Sequence, residues 1–333
     1  MTNSNSSIVL VMDKHQAARR LAPLIADKWP GRRVFAILTY YVGVYEFRYP
    51  RGLKMSDFPF VGEPAWKIRD MLGLPHYPAF ELIHGQLINS DLSALDLLRD
   101  NSEIWYAGDL SHSGANAFDV LMAESLGVNI SATAFPAIFI RALDSESLIS
   151  AIDAGSSTDS PKFRECVAKG KAKRFFEFNF NTNSMAVFGD RLRKVGVDTD
   201  KFEIGKNSLQ VLYWMRAQEG VETYSEGKLV MAMYGWKGTG RYEQCEMGSP
   251  ASQSLIVSSL TRSGLLARQG REIFISDLGH AFLRLLHPDC EDQDLPARLL
   301  EWQADWPNSK PVMERYIRTV FGKQLRFNQA DSH

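Results

Sequence analysis

The chain has 333 residues, of which 45% are hydrophobic and 23% charged, and its formal net charge is −1 at pH 7. These values are typical of a soluble globular protein long enough to form two domains, each with its own core. No stretch is apolar over the length that crosses a membrane, and the polar N-terminus lacks a secretory signal, so we expect a cytoplasmic protein with no membrane partner. The cysteines Cys166, Cys245 and Cys290 lie far apart and without histidines at ligand spacing, which argues against a zinc site or a disulfide framework.

The chain opens with a strand, a turn and a helix. A β-branched apolar run at residues 7–12 leads into Asp13 and Lys14, and the following residues place apolar side chains at helical spacing. Residues 34–50 are predicted to form two strands about Gly43. This order indicates an α/β domain built on a parallel sheet.

Asp109 ends a further apolar strand, which begins at Glu103, and a Ser/Gly turn and a helix over 114–125 follow it. Open α/β sheets bind ligands at the carboxyl ends of their strands, so Asp109 is a candidate acid of a metal or phosphate site. An aspartate is equally suited to capping the helix that begins near Ser113. This stretch alone leaves both interpretations open.

The segment GSSTDSP at 155–161 is the best linker candidate in the chain. We therefore predict an α/β domain over 1–158 and a mostly helical domain over 159–333.

The second domain opens with a local basic run, since residues 161–174 hold six Lys or Arg against one Glu. Such a run predicts a local patch for a polyanion. The stretch Phe175–Phe188, rich in Phe and Asn, is either a core helix or a surface on which bases stack.

Residues 224–287 have the element order of a winged helix. Helices are predicted over 224–236 and 249–264, a strand pair over 265–276 and a further helix over 277–287. Arg262, Arg268 and Arg271 lie at the end of the second helix and in the strand pair, where such modules contact phosphates. The alternative is a winged helix that contacts proteins only.

Taken together, these segments resemble the type IA DNA topoisomerases of the topoisomerase III sort, over about residues 7–325. VLVMDKHQAARRLA is similar to the opening of the family's Toprim domain, with Asp13 and Lys14 on its active-site acid and lysine. WYAGDLSHSGANAF falls on the family's metal-binding turn, with Asp109 and Gly114 in place. In the second half, IGKNSLQVL resembles the re-entry into the fourth domain, YSEGKLVMAM its DNA-facing helix, MGSPASQSLIVSSLTRSGLL its winged-helix motif, and LPARLLEWQ the helix that follows.

The chain departs from this family at the residues that carry its chemistry. YYVGVYEFRYP resembles the segment with the family's Gly-His pair, but Val44 stands in place of the histidine. The later acids of the metal turn are replaced by Ser111, Ser113 and Ala115, although Mg²⁺ prefers several hard oxygen ligands.

The family's tyrosine-bearing arch is missing as well. The family inserts the arch between the re-entry segment and the winged helix, where this chain has only residues 216–223. None of the nearby tyrosines has the strand context and adjacent arginine that would activate a phenol, and these are Tyr213, Tyr224, Tyr234 and Tyr242.

The resemblance and its departures predict a catalytically inactive relative that binds single-stranded DNA or serves as the DNA-binding subunit of a larger assembly. No cofactor is expected. The fold expected is a Toprim-like α/β domain followed by a domain like the fourth domain of the family. The residues expected to bind DNA are Lys169, Lys171, Lys173, Arg174, Lys206, Ser249, Ser252, Arg262, Arg268 and Arg271.

Two other functions remain open. The first is a metal-dependent DNA enzyme, either a nuclease or a split topoisomerase, with Mg²⁺ held by Asp13 and Asp109. It is favoured if Asp13, Lys14 and Asp109 converge on a metal-sized pocket. The second is a protein-interaction scaffold on the same fold, which an acidic or apolar groove would favour.

Overall fold

The structure of the protein is a computed structural model. It describes residues 7–25, 28–40, 43–71, 74–83, 85–100, 103–200, 202, 204–218, 223–236, 247–248 and 250–330. Contacts divide the chain into a first unit, Met1–Arg48 with Ala65–Lys171, and a second unit, Tyr49–Pro64 with Ala172–His333.

The first unit is built on a mixed sheet of seven strands in the order β6-β5-β2-β1-β7-β8-β9. Strands β2, β1, β7 and β8 run parallel, β5 pairs antiparallel with β2, β6 with β5, and β9 with β8. A separate pair, β3 and β4, is also antiparallel. The strands are β1 (Ile8–Met12), β2 (Val34–Leu38), β3 (Tyr45–Phe47), β4 (Trp66–Ile68), β5 (Pro78–Ile83), β6 (Gln86–Ser93), β7 (Glu103–Gly108), β8 (Pro136–Phe139) and β9 (Ser156–Ser157). The helices are α1 (His15–Ile25), α2 (Ala94–Arg99), α3 (His112–Leu126) and α4 (Ser145–Asp153).

The central strands are buried on both faces, which explains their continuous apolar sequence. Every residue of β1 is buried, and its side chains alternate between two cores. Val9 and Val11 pack in the core that includes α2 and α3, whereas Leu10 and Met12 pack in the core that includes α1 and α4. The first unit therefore has helices on both faces of its sheet, as the strand, turn and helix order predicted for an α/β domain.

The second unit is mostly helical. Its elements are the long α5 (Pro161–Lys194), whose first residues belong to the first unit, then α6 (Lys206–Ala217), β10 (Tyr224–Ser225), α7 (Glu226–Tyr234), α8 (Pro250–Arg262), β11 (Leu266–Gln269), β12 (Glu272–Ile275), α9 (Asp277–Arg284), α10 (Leu295–Ala304) and α11 (Lys310–Ala330). Strands β10, β12 and β11 form a small antiparallel sheet in that order. The helices and the strand pair expected over 224–287 are present, with the strand pair turning at Gly270, whose φ is +61°.

The phenylalanines of α5 form part of the core of the second unit. Phe175, Phe176, Phe180 and Phe188 are at most 2% exposed and pack with the other helices. Of the two interpretations of this stretch, the core helix is confirmed, because buried rings are not available for stacking on bases.

Residues 49–64 belong to the second unit through hydrogen bonds to two asparagines of α5. The Asn179 side chain accepts a hydrogen bond from Gly62 N at 2.7 Å and donates one to Gly62 O at 2.9 Å. The Asn183 side chain does the same for Phe60, at 2.8 and 2.7 Å. The backbone of this segment is thus satisfied by side chains of α5 instead of by a neighbouring strand.

The units do not divide where the sequence suggested. The expected linker at 155–161 contains β9, which pairs with β8, and Thr158 within it is buried. Pro161 then begins α5, a position that suits proline because the first helical N–H needs no partner. The contact division falls inside α5, between Lys171 and Ala172, and not at residue 158.

Among the helices of the described ranges, none is long and apolar enough to cross a membrane.

Candidate functional site

Two carboxylates and a lysine converge at one edge of the first sheet. Strands β1 and β7 are parallel neighbours, with Val11 opposite Tyr106, so both carboxyl ends point to the same edge. Asp13 follows the last residue of β1, and Asp109 follows the last residue of β7. Lys14 Nζ lies 3.0 Å from Asp109 Oδ2 and 3.8 Å from Asp13 Oδ2. The structure brings the three expected residues together, and we refer to Asp13, Lys14 and Asp109 as the acid edge.

A cavity of about 100 Å³ opens on the acid edge. Besides the three charged groups, it is lined by Arg141, which follows β8, and by small or apolar residues. This volume accommodates about three water molecules at roughly 30 Å³ each. Asp13, Lys14 and Asp109 therefore meet the geometric condition that favours a metal-dependent enzyme.

The electrostatics of the acid edge are dominated by the burial of Asp13. The residue is 3% exposed, and this burial together with the negative charge of Asp109 raises its pKa to about 6, although Lys14 acts in the opposite direction. Asp13 Oδ2 and Asp109 Oδ1 are buried and have no hydrogen-bond partner among the described groups. Two unpartnered acceptors side by side favour a shared proton or a bound cation.

The turn after Asp109 is held by neutral contacts. Tyr106 Oη donates a hydrogen bond to the carbonyl of Asp109 at 2.5 Å, and a Cβ added at Gly114 would lie 2.8 Å from the same hydroxyl. Ser111 Oγ accepts a hydrogen bond from Gly114 N and caps α3. The cap of this helix is thus Ser111, and the interpretation of Asp109 as its cap is wrong.

The donor set of the acid edge fits Mg²⁺ poorly. Within the described ranges, no group of three or more His, Cys, Asp or Glu side chains could hold a metal ion. Mg²⁺ prefers six oxygens in octahedral geometry, whereas this edge offers two carboxylates with the Lys14 ammonium already beside both. The arrangement is better suited to holding a proton.

A second cluster of charge lies in the second unit and has the opposite sign. Arg174 Nη1 and Lys206 Nζ each lie 3.1 Å from a carboxylate oxygen of Glu177. The charge of Lys173 also acts on Glu177, but no ion pair or hydrogen bond of the Lys173 ammonium occurs within the described part of the chain. We refer to Lys173, Arg174, Lys206 and Glu177 as the cation cluster, which has three cations for one carboxylate.

The cation cluster shifts the pKa values of its members in opposite directions. Burial acts to raise the pKa of Glu177, but the nearby cations outweigh it and lower that pKa to about 2. Burial lowers the pKa of Lys173, and the charges of Lys206 and Arg174 act in the same direction, while Glu177 acts against it. A further anion bound near these residues would reduce the repulsion among the three cations.

Two helix N-termini meet beside Lys206, the first residue of α6. The preceding residue, Gly205, provides no side-chain hydrogen bond to cap α6. A Cβ added at Gly248, just before α8, would lie 3.3 Å from Asn207 Nδ2 and 2.6 Å from Ser252 Oγ. The first turns of α6 and α8 thus approach each other, and helix N-termini attract anions through their free N–H groups and dipoles.

The other residues expected to bind DNA are dispersed. Lys169 pairs with Glu165 on the same helix, and Lys171 pairs with the buried Asp119. Both lie in the first unit. Ser249 lies outside the described residues.

The three arginines of the expected winged helix are exposed at the far end of α8 and in the strand pair. Arg268 forms an ion pair of 2.6 Å with Glu226. For Arg262 and Arg271, no ion pair occurs among the residues that the structure describes.

The tyrosines considered as nucleophiles differ in accessibility. The hydroxyls of Tyr213 and Tyr224 are buried without a hydrogen-bond partner among the described groups, and burial raises the pKa of both phenols. Tyr234 is 56% exposed on α7, and Tyr242 lies outside the described residues.

The sequence did not single out several residues of these sites. Glu177 follows Arg174 by three residues and Lys173 by four, a spacing that places charged side chains together on a helix and could have indicated the pairing. Its contact with Lys206, 29 positions away, has no local signal. Arg141 and Asn207 likewise reach their sites only through the fold.

Comparison with family models and with curated proteins gives no match for this chain.

Proposed function

We propose that this protein binds single-stranded DNA through its second unit and does not itself cut the strand. The observation that carries this proposal is the cation cluster beside the meeting N-termini of α6 and α8. Three cations share one carboxylate there, and the N-terminus of α6, which has no side-chain cap, begins at one of these cations. A phosphate of a DNA backbone supplies the missing negative charge and hydrogen-bond acceptors.

On this proposal the first unit is Toprim-like, and the second corresponds to the fourth domain of type IA topoisomerases with a winged helix over about 224–287. The succession α6, β10, α7, α8, β11 and β12, with the three strands in one antiparallel sheet, supports the winged helix. Arg262 and Arg271 supply further exposed positive charge in this module. The partners are single-stranded DNA and, in an assembly, other protein subunits.

Salt-dependent binding to an oligothymidine, measured by fluorescence anisotropy, tests the proposal. We expect tight binding at low salt, with a log–log slope of roughly −0.7 for each phosphate contact. Lys173→Gln removes one charge without breaking either ion pair of Glu177, and it should weaken binding and reduce the slope by about 0.7. Lys169→Gln is the matched control on the same helix. An absence of binding at low salt, or an equal loss in the control, would reject the proposal.

The absence of strand cleavage is tested with supercoiled plasmid and Mg²⁺ or Mn²⁺ on denaturing gels. Tyr213 is buried with a raised pKa, so its phenol stays protonated at neutral pH and is a poor nucleophile. We expect neither relaxation nor a protein-linked strand. Relaxation that is lost when a single tyrosine is changed to Phe would show that the protein is a topoisomerase.

A second candidate, a metal-dependent DNA nuclease, is favoured by the convergence of Asp13, Lys14 and Asp109 on one cavity. Nicking of DNA that requires a divalent cation and is lost in Asp109→Ala would establish this activity. Without such a role, Asp109→Ala should leave DNA binding unchanged or slightly stronger, because it removes a negative charge that repels phosphates.

A further inference from the structure

Strand β6 forms one edge of the first sheet. It pairs with β5 on one side, and among the described strands none pairs with its other side. Leu87 packs against the core that includes α1, whereas Ile88, on the opposite face, is 43% exposed. Sheets usually protect such an edge with a lysine, a proline or a bulge. Residues 86–89 contain none of these, and the bulge of β6 lies beyond them, where Pro78 pairs with Ser93.

The free edge presents the backbone groups of two residues. Strands β5 and β6 are joined by residues 84–85, and in a hairpin with so short a loop the closing pair, here that of Gln86, exchanges both hydrogen bonds. Bonded and unbonded pairs then alternate along the ladder. The N–H and C=O of Ile88 therefore point to β5, and those of Leu87 and Asn89 point outwards. Apart from the ladder, neither residue has a backbone hydrogen bond within the described ranges.

The spacing of these outward groups suits a second copy of the same strand. When two identical strands pair antiparallel about a two-fold axis, each residue opposes the one equally far from the axis on the other strand. With the axis beside Ile88, Leu87 opposes Asn89 of the second copy, and the outward groups of both strands bond to one another. An axis beside Leu87 would instead oppose Asn89 to Gly85 in the turn. An axis beside Asn89 would oppose Leu87 to Asp91 in the bulge.

The side chains are compatible with the axis beside Ile88. This residue lies against its own counterpart in a pair without hydrogen bonds, where opposing side chains are closest. Ile83 is 36% exposed on the same face and extends the apolar contact. Asp91 opposes Gly85, and residues 86–90 carry no charge, so no acid lies opposite another acid.

We propose that the protein forms a symmetric dimer in which two β6 edges pair about Ile88 and join the first sheets of both copies into one sheet. At the opposite edge, β9 is only two residues long, so the contact closes at two copies and does not propagate. The contact is small, and the dimer therefore dissociates on dilution. This inference goes beyond the proposed function and does not depend on it, because β6 belongs to the first unit and the cation cluster to the second.

Sedimentation equilibrium of the full-length protein over a wide range of concentration tests the proposal. We expect the wild type to dimerise reversibly. Ile88→Lys should raise the dissociation constant about tenfold or more, because two ammonium groups then meet at the axis. Ile149→Lys is the matched control, since Ile149 is 47% exposed on α4, away from the edge. A wild type that stays monomeric, or an equal loss in the control, would overturn the proposal.

The backbone pairing is tested by Asn89→Pro and by hydrogen exchange. The proline removes an outward N–H without touching the bonded pairs with β5, and edge positions tolerate it, so the dimer should weaken while the fold remains. In the wild type, the amides of Leu87 and Asn89 should become protected as the concentration rises, whereas that of Ile88 is protected by β5 throughout. A dimer that leaves these two amides unprotected, or that survives both substitutions at the edge, would form elsewhere and overturn the proposal. Far-ultraviolet circular dichroism checks that the variants are folded.

Discussion

The acid edge contains the buried Asp13 and the cation cluster the half-buried Glu177, and the surroundings of the two carboxylates shift their pKa values in opposite directions. Burial raises the pKa of Asp13 to about 6, the charge of Asp109 adds to this rise, and the single Lys14 does not outweigh the two. Glu177 has three cations around it, and its pKa falls to about 2. The comparison shows that burial alone does not decide the charge of a carboxyl group. The ratio of cations to anions around it decides whether the site attracts a proton or an anion.

The largest effect should follow from removing the only anion of the cation cluster. Glu177→Gln leaves three cations close together without a counterion, and we expect it to lower the free energy of unfolding by about 3 kcal/mol, the lower end of the range for a broken buried ion pair, because these side chains are partly exposed. The same change should strengthen binding of oligothymidine, because the cluster then repels no phosphate. Urea unfolding and fluorescence anisotropy measure the two effects.

Glu165→Gln is the control for this experiment, since Glu165 pairs with Lys169 on the exposed surface of the same helix. Exposed pairs of this kind contribute about 0.3–0.5 kcal/mol. If Glu177→Gln lowered the free energy of unfolding no more than the control does, the carboxylate would not stabilise the three cations around it. The contrast with the acid edge would then not hold.

Removing the charge of the buried carboxylate at the acid edge should stabilise the protein at pH 8. The raised pKa of Asp13 means that the unfolded chain ionises near 3.8 and the folded protein only near 6. The wild type therefore loses stability as the pH rises through this window, by up to about 3 kcal/mol at 1.36 kcal/mol per unit. Asp13→Asn has no such loss and should be the more stable protein at pH 8 but not at pH 4.

Urea unfolding at the two pH values measures this difference, and the exposed Asp100→Asn serves as the control. A variant less stable than the wild type at pH 8 would mean that attraction to Lys14 outweighs burial at the acid edge.

The stability that Glu177 contributes follows the reverse pattern. Since its pKa is lowered from 4.5 to about 2, that contribution is present at neutral pH and is lost as the pH falls through this range.

The smallest effect concerns the protonation of Lys173. Because its pKa is lowered, it loses its proton at a lower pH than an ordinary lysine, and affinity for oligothymidine should decline as the pH rises into the alkaline range. Lys173→Arg should remove this decline, because a guanidinium stays charged. Anisotropy titrations from pH 7 to 10 follow the effect. An identical decline in the arginine variant would exclude Lys173 from the site.

The acid edge could be predicted from the sequence, and the cation cluster only in part. Asp13 and Asp109 each follow an apolar strand, and parallel strands end at one edge, so local pattern and a general rule of sheets suffice. Lys173 and Arg174 were visible as part of a basic run, but the run does not show which cations are paired within the protein. Lys171 pairs with Asp119, and Lys206 with Glu177, through contacts that only the tertiary fold creates.

The fold was predicted best where periodicity is strong. The strands and helices around the acid edge and the helices and strand pair over 224–287 followed from their apolar spacing. The Gly/Ser composition of 155–161 suggested a linker, but β8 offers a free strand edge there, and pairing with it outweighs the local preference. No local sequence pattern indicates that residues 49–64 belong to the second unit, because they are held there by the amide groups of Asn179 and Asn183 far along the chain.

The hydrogen bonds of Asn179 and Asn183 also constrain how the protein folds during synthesis. They join residues 117 and 123 positions apart, and the chain passes between the two units three times, after Arg48, Pro64 and Lys171. Residues 49–64 therefore leave the ribosome long before the helix that holds them exists. Contacts of such long sequence separation form late. Residues 49–64 can therefore bind α5 only after the chain of the first unit has been synthesised.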